Sequence, residues 1–234
     1  MNAETVVKRL QELAAPEQAK IMQRYFKTGS GEYGEGDVFL GLKVPQCRRL
    51  IPEFRPLPLV ERLQLLQSPL HEARFLGLLL LVDGFQRGTP ELREEIYRGY
   101  CANTSRINNW DLVDCSAEHV VGAHLRERSR APLHEFVQSK LIWERRIAIM
   151  ASFHYIKRGE FGETLRLAET LLHDREDLIH KAVGWMLREI GKRDRSTEES
   201  FLRQHYRSMP RTMLRYAIER FPEPLRQGYL KGNL

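Results

Sequence analysis

The chain has 234 residues, 42% hydrophobic and 29% charged, which excludes a disordered polymer and suits one large domain or a short repeat array. Its net charge of +6 favours a polyanionic partner without naming one. The longest apolar run, Phe75 to Val82, is far too short to cross a membrane, and the three scattered cysteines form neither a metal pattern nor a disulfide framework.

In chain order, the N-terminal stretch MNAETVVKRLQELAAPEQ is an amphipathic helix without a signal-peptide core, so a cytoplasmic location is expected. The next segment, TGSGEYGEGDVF, formally contains G-x-G-x-x-G at Gly29, Gly31 and Gly34. It follows the helical QRYFK rather than a strand, so the dinucleotide reading fails and a loop joining two helices is expected, one able to close over a ligand. Beyond it, apolar residues recur at helical spacing, alternating strand patterns are absent, and Pro45, Pro56, Pro69, Pro90, Pro132, Pro210 and Pro222 cut the chain into helix-sized pieces. The eight histidines show no spacing shared with cysteines or paired acids, which excludes a readable metal site.

Five segments repeat: HEARFLGLLLLVDGF, NNWDLVDCSAEHVVG, IWERRIAIMASFHYI, LIHKAVGWMLREIGK and PRTMLRYAIERF. Anchored on Arg74, Trp110, Arg146, Lys181 and Arg215, they are separated by 36, 36, 35 and 34 residues, and each follows a shorter helical stretch such as LREEIYRGYCAN or APLHEFVQSKL. Helix pairs at this period predict an all-α fold: an α-solenoid of HEAT-like pairs, forming one domain over residues 1–234 with a concave, basic face.

Residues four apart share a helical face, so Trp110 pairs with Asp114 and Lys181 with Trp185, and Arg146 holds the equivalent anchor between them. The stripe either lines the concave surface or faces the next helix layer, where the indoles would be core and Asp114 would pair with Arg146. Asp111, one residue from Trp110, points elsewhere, which predicts a solvated or capping role. No Ser, Cys or Lys forms an activated pair with Asp114, so nucleophilic catalysis is poorly served. Holding a cation is well served. Indole faces attract positive charge, and at about 4 Å with an effective dielectric near 20 a carboxylate contributes roughly 4 kcal/mol. Applied mainly in a transition state, that is about a thousandfold in rate. Arginine would hold phosphate nearby, and the Arg126–Arg130 run offers either further phosphate contacts or a solvated face. DNA carrying a positively charged alkylated base fits these features together.

The blocks FLGLKVPQCRRL, NNWDLVD, WERRIAIM and HKAVGWMLREIGK resemble the signature segments of the bacterial AlkD-type DNA alkylation repair family, over residues 25 to 192. That family comprises HEAT-like DNA glycosylases that excise purines alkylated at N3 or N7. The resemblance implies a catalytic Asp at Asp114, tryptophans at Trp110 and Trp185, and an arginine at Arg146, with Arg145 as the alternative; Lys181 joins the DNA-binding set by register. It further implies that the cationic base needs no general acid to leave. Asp114 would stabilise the oxocarbenium-like sugar and position water, while both indoles contact sugar and backbone, without a base-flipping pocket. No cofactor is implied. The expected partner is duplex DNA with alkylated bases, met by a monomer away from membranes; the alternative is a non-catalytic module for bent or branched DNA or a protein.

Overall fold

The computed structural model describes residues 1–234 and is helical throughout, without strands beyond a single parallel bridge between Val38 and Leu70. The chain divides into two compact units, Met1–Val120 and Val121–Leu234. No helix is long and apolar enough to cross a membrane.

The first unit contains α1 (Ala3–Glu12), α2 (Pro16–Tyr25), α3 (Val44–Phe54), α4 (Leu59–Leu65), α5 (His71–Arg87), α6 (Pro90–Cys101) and the five-residue α7 (Trp110–Asp114). Its helix starts are written in the sequence. Asn2 caps α1 by accepting from the Thr5 amide at 3.0 Å, and Thr89 precedes Pro90 at the head of α6 and accepts from the Leu92 amide. The core is built on α5, whose side chains from His71 to Val82 are all buried, so its apolar run needs no solvent-facing stripe. Helices α3, α4 and α6 pack around it.

The glycine-rich segment is tied down at its far end. Asp37, two residues before its end, is 4% exposed, and the next turn of chain is held by the buried Glu72 carboxylate, which accepts from the amides of Leu40, Gly41 and Leu42 at 2.9, 2.7 and 3.1 Å. Gly41 has φ +94° and backs onto the Ala15 carbonyl, which a Cβ would approach to 2.3 Å. Whatever closes over a ligand, the segment from Asp37 to Leu42 is anchored in the core.

The second unit contains α8 (Ala123–Leu125), α9 (Ala131–Val137), α10 (Ile142–Ala151), α11 (Phe153–Ile156), α12 (Gly162–Thr170), α13 (Asp177–Gly191), α14 (Arg195–His205), α15 (Arg211–Ala217) and α16 (Glu223–Lys231). Helix α13 is its centre, packed by α10, α12, α14 and α15. Asp194 caps α14 through the Thr197 amide at 3.0 Å.

The repeat reading is met in the element order. The anchors Arg74, Trp110, Arg146, Lys181 and Arg215 fall on α5, α7, α10, α13 and α15, the second helices of the pairs α4–α5, α6–α7, α9–α10, α12–α13 and α14–α15. They do not share an environment: Arg74 and Arg146 are buried, Trp110 and Lys181 are half-buried, and Arg215 is exposed.

Candidate functional site

Trp110 opens α7 and Asp114 closes it one turn later, both half-buried. Five residues make about one helical turn, too little to hold itself in water, so the surroundings must fix its direction. At its start, the Asn109 carboxamide accepts from the Trp110 amide at 2.9 Å, and the fully buried Asn109 donates Nδ2 to Asp37 at 3.2 Å. On one side the Trp110 indole stacks on Phe26, centroids 5.2 Å apart and planes 12° from parallel. Phe26 stacks on Phe39 at 4.9 Å, and Phe39 on the His71 imidazole at 4.2 Å. Tyr25, 65% exposed, meets Trp110 edge-on at 6.0 Å.

His71 also reaches α7 through hydrogen bonds. Its Nδ1 lies 2.9 Å from Asp37 Oδ2 and its Nε2 2.9 Å from Asp111 Oδ2. With a carboxylate oxygen at each ring nitrogen, both nitrogens are placed to donate, which defines the imidazolium. Burial disfavours that charge, but the Asp111 charge and hydrogen bond, followed by those of Asp37, outweigh it and hold the His71 pKa at about 9. Asp37 is the hub. Burial raises its pKa, yet the His71 hydrogen bond and the Arg74 and His71 charges bring it below the usual carboxylate value. Arg74 donates to its other oxygen, and Asn108 Nδ2 approaches the same oxygen at 3.4 Å.

Asp111 is therefore not solvated. Its side chain is 12% exposed, one oxygen holds His71, and the other accepts from the Leu112 amide at 2.9 Å. The capping half of the expectation stands, and the solvated half gives way to an ion pair that anchors α7. Sequence reasoning missed Asp37 and His71 altogether.

In the second unit, Trp185 sits half-buried on α13, donating its indole N–H to Glu189 Oε1 at 3.2 Å, with the Phe153 ring 6.1 Å away. Burial raises the Glu189 pKa, but hydrogen bonds from Lys192, Arg193 and Trp185 bring it below its ordinary value. Lys157 lies over the other ring of this cluster, 4.3 Å from the Phe153 centroid. Lys181, one turn before Trp185, has a side chain 41% exposed and pairs with Asp177 at 2.7 Å. Thus α13 presents Asp177, Lys181, Trp185 and Glu189 at successive four-residue steps.

The two arginines are placed differently. Arg146 is 4% exposed and donates to the Leu178 carbonyl at 2.5 Å, joining α10 to the start of α13. Arg145, with a side chain 15% exposed, donates to Asp174 at 2.6 Å and to the carbonyls of Ser139 and Lys140. In this arrangement both guanidinium groups bond to the chain itself, and Lys181 is the most exposed of the three expected DNA-binding cations.

The architecture is that of an all-helical protein of paired helices, with a tryptophan and a carboxylate on one short helix and a second tryptophan hydrogen-bonded to Glu189, which also holds Lys192 and Arg193. The sequence model described as "DNA alkylation repair enzyme" matches residues 6–221, and the chain belongs to that family. A solved structure described as a predicted DNA alkylation repair enzyme from Enterococcus faecalis shares the fold, with a TM-score of 0.71 over 90% of this chain and 97% of that one at 18% identity. None of the curated proteins compared matches the sequence. Membership in the family makes the chain an enzyme of DNA repair.

Proposed function

We propose that the protein is a monofunctional DNA glycosylase that hydrolyses the N-glycosidic bond of cationic N3- or N7-alkylated purines in duplex DNA. The observation that carries this reading is the placement of Asp114 one turn from a half-buried indole, on a helix whose direction is fixed by buried ionic groups. A carboxylate held in position before the reaction stabilises developing positive charge without reorganising at the moment of bond breaking.

In the proposed reaction the alkylated purine departs with the bonding electron pair, which neutralises its own charge, and the deoxyribose becomes oxocarbenium-like at C1′. Asp114 stabilises that centre and orients the attacking water, taking its proton as the C1′–O bond forms. Trp110 and Trp185 present indole faces to the sugar and backbone, where cation–π attraction grows with the charge on the sugar. Lys181 takes a backbone phosphate, and Arg146 or Arg145 would do so only by exchanging a bond to the chain for one to DNA. No cofactor enters the reaction.

The test is to incubate the protein with duplex DNA containing a single N7-alkylguanine and to measure free base. Release by the wild type and its loss in Asp114→Asn support the reading, and release of uracil at a comparable rate would count against the charge-based mechanism. Duplex binding without base release would favour a non-catalytic DNA-binding module.

A further inference from the structure

Two independent connections run from His71 to α7. One is the hydrogen bond from Nε2 to Asp111, on the residue that follows Trp110. The other is the column of rings His71, Phe39, Phe26 and Trp110, with centroid separations of 4.2, 4.9 and 5.2 Å. At its back His71 is fixed by Asp37, which is in turn held by Arg74 and Asn109, the residue that caps α7. His71, Arg74 and Asp37 are each at most 4% exposed, so none is placed to touch DNA. A purely structural salt bridge would not require a histidine here. The site needs one flat ring that stacks on Phe39 and carries a donor at each edge, and imidazolium supplies both.

We propose that His71 is a positioning residue for the Trp110–Asp114 helix: a doubly donating imidazolium that orients α7 through Asp111 and backs the ring column on which Trp110 lies. The inference rests on the glycosylase reading for its effect on rate, but its geometric content stands apart from it. When His71 loses its charge or its ring, α7 loses its direction while the rest of the first unit keeps its core. The effect falls on the chemical step more than on duplex binding, because misplacement by about 1 Å costs on the order of a hundredfold in a positioned reaction.

The variants are His71→Gln and Asp111→Asn, alone and together, measured for single-turnover base release at saturating enzyme, for duplex affinity and for thermal melting. The expected result is a rate lower by about tenfold to a hundredfold in each folded single variant, with affinity changed less than about threefold. The double variant should be no slower than His71→Gln, because the Asp111 contact is already lost when His71 is replaced. Asp111→Asn serves as the second variant if His71→Gln does not fold. Acrylamide quenching of Trp110 emission, read in a Trp143→Phe/Trp185→Phe background, should rise with His71→Gln. Wild-type rates and unchanged quenching in the folded variants overturn the proposal, as does a rate loss that merely tracks the unfolded fraction. If the wild type releases no base, the glycosylase reading fails, and Trp110 quenching alone decides the role of His71.

Discussion

Helices α7 and α13 carry the same local pattern, a tryptophan and a charged residue four apart, but they are held in place by opposite means. Helix α13 runs for fifteen residues, buries Ile179, Ala182, Val183, Met186, Leu187 and Ile190 along one side, and pairs Asp177 with Lys181 and Glu189 with Lys192 and Arg193 at i,i+3 and i,i+4 spacing. Its direction comes from its length and its apolar face. Helix α7 has five residues and buries only Leu112 and Val113. It is directed by groups distant in sequence, Asp37 and His71, which lie 34 residues apart and reach it through Asn109 and Asp111. The difference teaches that a short helix bearing a half-buried carboxylate can be held in place by a buried ionic network more than by its own length.

The largest expected effect tests whether the rigid carboxylate matters chemically. Asp114→Asn keeps the shape and removes the charge, so single-turnover base release should fall about a thousandfold, the equivalent of roughly 4 kcal/mol. Duplex affinity should remain. A wild-type rate in this variant would remove α7 from the reaction and leave the comparison purely architectural.

The next effect is on stability and separates the two modes of support. Asp37→Ala leaves His71 and Arg74 buried without their common partner and should cost about 3 kcal/mol or more in urea unfolding. Asp177→Ala, which removes the partly exposed partner of Lys181, should cost less than about 1 kcal/mol. Equal losses would show that α7 is not held from outside in the way described.

The same network sets a pH dependence. The groups facing His71 are Asp37 from the loop before α3, Asp111 from α7, and the Phe39 and Phe26 rings, with Arg74 on the far side of Asp37. The His71 pKa is raised from 6.5 to about 9 in the folded protein. The stability this contributes is fully present below pH 6.5 and is lost as pH rises through about 9. Unfolding midpoints should therefore decline between neutral pH and pH 9, by the equivalent of a few kcal/mol at most, and the decline should be shallower in His71→Gln. A midpoint that stays flat over that range in the wild type would mean that His71 is not charged in the native protein.

These predictions draw on residues of very different legibility. The helix pairs were readable because their period is carried by apolar residues within single segments, and the anchors duly fall on α5, α7, α10, α13 and α15. A shared face was not readable from the same register. Arg146 and Lys181 are each the fifth residue of their helix, yet one is buried and the other half-buried, because the packing neighbours of α10 and α13 differ. Trp110 and Asp114 could be singled out by chemistry and spacing. Asp37, His71 and the pairing of Asp111 could not, since their partners lie 34 to 72 residues away and only the fold brings them together. The glycine-rich loop drew notice for a nucleotide-like motif, while the residue that matters structurally is Asp37, near its end.

The smallest expected effect concerns the cations of the second unit, where burial and exposure assign different tasks to neighbouring helices. Arg146 gives a charged hydrogen bond to the Leu178 carbonyl from a site 4% exposed, so Arg146→Ala should lower stability by about 1.5–3 kcal/mol. Lys181, its side chain 41% exposed, forms a surface pair with Asp177, a bond worth too little to hold it against a phosphate. Lys181→Ala should accordingly leave the melting temperature nearly unchanged and reduce the slope of log affinity against log salt by about one unit. The loss in affinity should be the same for alkylated and intact duplex, because a phosphate contact positions the protein without reading the lesion. Melting and salt titration of both variants decide between the two tasks. A reduced slope in Arg146→Ala with no loss of stability would show that its guanidinium leaves Leu178 for the backbone, and the division of labour between α10 and α13 would have to be reversed.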